Sequence, residues 1–159
     1  ILIWTALVFF ISLAAEILGV NTGFPFGTYA YGKNMAPFIW NTPIAIGGAW
    51  LSVILSSVFL TRLLFQHARF VRQNTTAFAL GAALLASAFD AVMEFAAVKL
   101  GYWSWHGDAV PIQNYLSWFV LSFIFSWPAF RTFAGSDKKI SPVWHLYPAQ
   151  LVYFLISLF

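Results

Sequence analysis

Residues 76–100 read TAFALGAALLASAFDAVMEFAAVKL. Apart from Asp90, Glu94 and Lys99 the stretch is apolar or small, and it is longer than the roughly 20 residues a helix needs to cross a bilayer's hydrocarbon core. It predicts a membrane helix that carries two acids inside it. A spacing of four places both carboxylates on one helical face. Two negative charges there would confront each other in a poorly hydrated place, so one of the two is expected to keep its proton at neutral pH. Acids at such depth are costly and by default functional. A protonated carboxyl beside a carboxylate suits acid-initiated chemistry on a hydrocarbon.

Working outward, the chain has 159 residues, 61% of them hydrophobic and 8% charged, which excludes an ordinary soluble domain. The expected fold is all-α, a polytopic transmembrane helix bundle of about five spans. These lie at 1–18, 43–65, 76–100, 115–133 and 143–159, and the last is short and holds Pro148. No repeat, low-complexity tract or linker divides them, so residues 1–159 form a single integral membrane domain. The chain starts without methionine and ends inside an apolar run, and further helices are expected at both ends. Segment 1–18 lacks a basic leader and a small-residue cleavage site, so it reads as a retained span rather than a signal peptide. There is no cysteine, hence no disulfide framework, thiolate metal site or cysteine nucleophile.

A net charge of +3 would suggest nucleic acid in a soluble protein, but here the basic residues fall in short loops and report topology. Arg62, His67, Arg69 and Arg72 follow span two, and Arg131, Lys138 and Lys139 follow span four. The positive-inside rule puts both loops in the cytoplasm, along with the N-terminal end, and turns loops 19–42 and 101–114 outward. The expected location is the cytoplasmic membrane, with surrounding lipid and other membrane proteins as neighbours and no nucleic-acid partner. In the first outward loop Gly23, Gly27, Gly32, Pro25, Pro37 and Pro43 forbid a continuous helix, so a folded, partly re-entrant loop is expected.

At a rise of about 1.5 Å per residue, Asp90 and Glu94 sit roughly 21 and 27 Å along their helix, and Glu16 roughly 22 Å along the first. Three acids therefore share one depth band toward the outer leaflet. Asn21, Tyr29, Tyr31, His106 and Asn114 are candidate polar lining of a pocket over that band. Trp103 and Trp105 are either interfacial anchors or its walls. Glu94 pairing with Lys99, and Glu16 reaching toward headgroup water, are the bland alternatives; three acids at one depth without matching buried cations count against them. Ser52, Ser56 and Ser57, with Gly47, Gly48 and Ala49, read as small-residue packing surfaces. His67 and His145 read as interfacial or structural. Glu16, Asp90, Glu94 and His106 would supply three oxygens and an imidazole, but no Glu-x-x-His or His-x-x-x-His pair announces a metal, and none is assigned. Phosphate-loop, hydrolase-elbow and dinucleotide motifs are missing.

The run EILGVNTGFPFGTYAY from Glu16 resembles the membrane carotenoid biosynthesis protein family, which includes C-1′,2′ carotenoid hydratases and bisanhydrobacterioruberin hydratase. DAVMEFAAVKLGYWSW from Asp90 resembles that family's acidic helix and aromatic loop, and VPIQNYLSWF from Val110 its next helix start. Ala91 and Phe95 follow the acids where the family often has proline, and Ser117 stands where glycine is commoner; these departures spare the acids but bear on helix shape and substrate choice. The family also commonly has more spans. The resemblance implies hydration of a terminal isoprenoid C=C bond of an acyclic carotenoid end group, as in lycopene or a monocyclic carotene, without a cofactor. Asp90 and Glu94 would donate the proton, and Trp103, Trp105 or Tyr29 would face the resulting cation. Glu16 or the ionised member of the pair would take a proton from water held by Asn21 or Asn114. Two alternatives remain open: a non-catalytic carotenoid-binding subunit of a pigment assembly, and a cyclase or isomerase that shares the protonation step. A proton-coupled transporter fits poorly, since symmetric broken helices are missing.

Overall fold

The first helix, α1 (Leu2–Thr22), is apolar along its length and ends where Gly23 takes a left-handed conformation at φ 79°, its N–H bonding back to the Gly19 carbonyl at 2.7 Å. Such a φ favours glycine, which carries no Cβ. The computed structural model describes residues 1–107, 109–133 and 141–159. Lys138 and Lys139, two of the expected topology markers, lie outside the described residues.

Five more helices follow: α2 (Ala45–Leu64), the short α3 (Arg69–Gln73), α4 (Thr75–Lys99), α5 (Ile112–Thr132) and α6 (Leu146–Ser157). The bundle is all-α in its spanning part, as expected. At the head of α4 the Asn74 side chain accepts from the Ala77 N–H at 3.0 Å, satisfying one of the donors a helix start leaves free. The buried face of α4 is largely alanine, with Ala79, Ala82, Ala83, Ala86, Ala96 and Ala97. Small side chains let α2, α5 and α6 approach closely, and α4 packs against all three. α1 packs on α2, and the Trp4 indole donates across to the Phe125 carbonyl of α5 at 2.9 Å.

Among the described residues α1, α2 and α4 are long and apolar enough to cross a membrane. The other two expected spans differ. α5 has the length, but Gln113, Asn114, Ser117, Ser122, Ser126 and Arg131 lower its apolarity. α6 covers 12 residues, Leu146–Ser157, and follows directly on a separate 3₁₀ turn at Ser141–His145.

The two loops expected to face outward contain strands. β1 (Tyr29–Tyr31) and β4 (Trp103–Trp105) pair antiparallel, with Tyr29 opposite Trp105 and Tyr31 opposite Trp103. Strands β2 (Phe38–Ile39) and β3 (Thr42–Pro43) form a hairpin through Trp40 and Asn41, both at positive φ, as tight two-residue hairpins require. The first loop thus folds back over the bundle end as expected, but as ribbon. The basic residues Arg62, His67, Arg69 and Arg72 lie at or beyond the far end of α2, opposite the ribbons, where Arg62 donates to the Phe130 carbonyl at 3.0 Å and lies over the Phe78 ring.

Candidate functional site

Period-two geometry builds the roof. In β1 and β4 alternate side chains point the same way, so Tyr29, Tyr31, Trp103 and Trp105 turn inward while Ala30 and Ser104 are exposed. The roof is tied down at Thr28, whose carbonyl accepts the His106 N–H at 2.9 Å, and at Gly32, whose N–H donates to the Tyr102 carbonyl at 2.7 Å. A Cβ on Gly19 would stand 2.7 Å from Phe26, so glycine there lets the returning loop lie on α1. From α5, Gln113 and Ser117 both donate to the Pro25 carbonyl at 2.7 Å and fix that loop from the other side.

Beneath the roof the three acids are buried: Glu16 is 5% exposed, Glu94 2% and Asp90 0%. Glu16 accepts from the Trp50 indole at 2.6 Å, from the Tyr31 hydroxyl at 2.7 Å and from the Tyr29 hydroxyl. Glu94 accepts from the indoles of Trp103 at 2.9 Å and Trp105 at 2.8 Å on one oxygen, and from the Asn114 amide at 3.0 Å on the other. The same Asn114 nitrogen donates to Asp90 at 3.1 Å. Burial first, and the Glu16 charge next, raise the ionisation of the Tyr29 and Tyr31 phenols far above the usual tyrosine range, so both stay protonated donors. Among the described residues no three His, Asp or Glu side chains are grouped to hold a metal ion.

A narrow cavity lies between these groups, lined by Glu16, Glu94, Asn114 and the rings of Tyr29, Tyr31, Phe26, Trp103, Trp105 and Trp118, with Ile46 and Met93. Its volume is about 20 Å³, room for about one water molecule. Asp90 does not line it and sits behind Asn114. Two expected lining residues are elsewhere. Asn21 is exposed at the end of α1, where its amide donates to the Ile17 and Trp40 carbonyls and its carbonyl oxygen accepts from Asn41, so it ties down the β2–β3 hairpin. His106 is exposed just past β4, because the strand alternation that turns Trp105 inward turns its neighbour out.

Residues 1–159 match the family described as carotenoid biosynthesis protein. The chain belongs to the carotenoid biosynthesis protein family. It is similar to a bisanhydrobacterioruberin hydratase of Haloarcula japonica, 28% identical over 111 residues, which cover 67% of this chain and 37% of that relative. The chain therefore spans well under two thirds of the length of the curated relative it matches. No solved structure matches it. With its apolar helices, this family member is a membrane protein.

The candidate site of this carotenoid biosynthesis family member also includes residues that sequence reasoning did not single out. Trp50 and Trp118 stack face to face, ring centroids 3.6 Å apart and planes 9° from parallel, and form a floor on which Phe26 leans. Trp50 is fully buried and aims its N–H at Glu16. In an apolar span a tryptophan reads as core; its polar edge gains meaning only once the acid is placed opposite. The YAY and WSW triplets carried a readable signal, since aromatic alternation at period two is a strand pattern.

Proposed function

We propose that this protein hydrates the terminal isoprenoid double bond of an acyclic carotenoid end group by acid-initiated addition of water. The observation that carries the reading is the disposition of the carboxyls. Glu16 and Glu94 line one aromatic cavity from different helices, and Asp90 stands behind, joined to Glu94 through Asn114. Two acids bridged by one neutral amide, without a cation bonded to either among the described residues, share one proton more readily than they hold two charges. Glu94 is the member that reaches the cavity and delivers that proton to the less substituted alkene carbon. The π electrons form the new C–H bond and leave a tertiary cation on the other carbon. The faces of Trp103, Trp105 and Trp118 stabilise it. A water oxygen bonds to the cation, and the proton it sheds goes to Glu16, whose three donors hold its oxygens in place. Return of that proton to Glu94 resets the site, with water alone consumed.

The end group reaches Glu94 past the aromatic side chains that line this cavity. The relative named as a hydratase supports the reaction class. The basic end formed by Arg62, Arg69 and Arg72 supports a cytoplasmic membrane location with the acids toward the outer leaflet.

Expression in a host that makes acyclic carotenes tests this directly. A tertiary alcohol heavier than the carotene by one water is expected, and Glu94→Gln should abolish it. Undiminished product from the Asp90→Asn, Glu94→Gln double variant would refute the mechanism. A product of unchanged mass would instead indicate cyclisation or isomerisation, and intact pigment copurifying without product would indicate binding alone.

A further inference from the structure

Asp90 keeps one oxygen for something other than Asn114. Its Oδ1 is buried and has no hydrogen-bond partner among the described residues. Four hydroxyls share that condition: Ser87 on α4, Ser57 on α2, and Ser122 and Ser126 on α5. A buried serine inside a helix has a partner at hand in the carbonyl one turn back. The buried Ser12 and Thr61 hydroxyls use it, at 2.7 and 2.8 Å. The other four do not.

Their placement is ordered. On α5, Asn114, Trp118, Ser122 and Ser126 follow at intervals of four, so one helical face runs from the acids downward. Ser122 and Ser126 lie roughly 12 and 18 Å below Asn114 along the axis. Ser87 lies one turn below Asp90 on α4, the helix that packs on α5, and Ser57 lies two turns below Trp50, which stacks on Trp118. The unpartnered groups therefore lie on three mutually packed helices, α2, α4 and α5, at levels that descend from Asp90 away from the aromatic roof. Buried polar groups inside a membrane protein are matched by protein or by ordered water.

We propose that Asp90 Oδ1 and the hydroxyls of Ser57, Ser87, Ser122 and Ser126 line a file of buried water that opens toward the Arg62 end of the bundle and supplies the acid site. Resting on the hydration reading for its purpose, the file brings one water per turnover from the side opposite the hydrocarbon. The nucleophile then need not pass the aromatic roof while the end group occupies it.

The chain has no cysteine, so a single introduced thiol gives an isolated S–H vibration. Infrared spectra of Ser122→Cys, Ser126→Cys and Ser57→Cys in D₂O should show prompt conversion of S–H to S–D. Val58→Cys, at a fully buried apolar position on α2, should convert far more slowly. Exchange in all three serine sites no faster than at Val58→Cys would overturn the proposal, and each site reads independently if one variant does not fold. Ser122→Ala should in addition lower hydration several-fold with carotene binding unchanged. Turnover missing from the unsubstituted protein would refute the hydration reading alone, because thiol exchange still decides whether water is there.

Discussion

Asn114 offers one amide nitrogen to two acids, and that single residue makes Asp90 and Glu94 a pair. Leucine at this position keeps the volume and removes both hydrogen bonds. Loss of one donor to a reacting oxygen typically costs about 10²–10³ in rate, and Asn114→Leu is expected to lose hydration on that scale at matched protein level, measured as initial rate. Retention of more than a tenth of the activity, to order of magnitude, would show that the pair does not act as a unit. The acids were legible in the sequence because charge inside a membrane is expensive and therefore conspicuous. Asn114 was legible as polar lining, but its bridging role was not, since it depends on the register of α5 against α4. Trp50 was hidden for the opposite reason: an aromatic residue in an apolar helix breaks no rule.

At the scale of elements, the β1–β4 ribbon decides which loop residues meet the acids. Sequence reasoning placed Tyr29, Tyr31, Trp103 and Trp105 near the site from loop proximity; strand alternation is what turns these four inward and sends His106 out. Glycine and proline pointed only to irregular chain, and pairing between loops more than 70 residues apart has no local signature. The ribbon also makes stability depend on alkali. Its phenols titrate above the ordinary tyrosine value of about 10, so the unfolded chain releases those protons first. Stability from Tyr29 and Tyr31 is therefore complete below about pH 10 and is lost as the pH rises beyond it. Unfolding followed in detergent up to about pH 11 should show that decline, and it should be shallower in Tyr31→Phe. Tyrosinate absorbance from Tyr29 or Tyr31 in the folded protein near pH 10 would contradict it.

For the whole molecule, five apolar stretches were readable, yet three helices have both the length and the apolarity to cross a bilayer among the described residues. The difference lies in α5 and α6. α5 exchanges apolarity for the Asn114, Ser122 and Ser126 face, and the stretch 143–159 divides into the 3₁₀ turn Ser141–His145 and the helix Leu146–Ser157. Hydropathy reports segments, whereas burial of a polar face against neighbouring helices depends on the assembled bundle. The proposed orientation rests on the same assembly. The ribbons and acids occupy one end and the Arg62, Arg69 and Arg72 group the other, so the proposed orientation, with the basic end in the cytoplasm, turns the ribbons outward. Ser104 is exposed on the outer face of β4 and His67 in the turn between α2 and α3. In this cysteine-free chain, Ser104→Cys should react with a membrane-impermeant maleimide applied to intact cells. His67→Cys should react only in inverted vesicles. The reverse pattern would turn the acid site to the cytoplasm, and the hydrocarbon would then enter from the inner leaflet while the serine file opened outward.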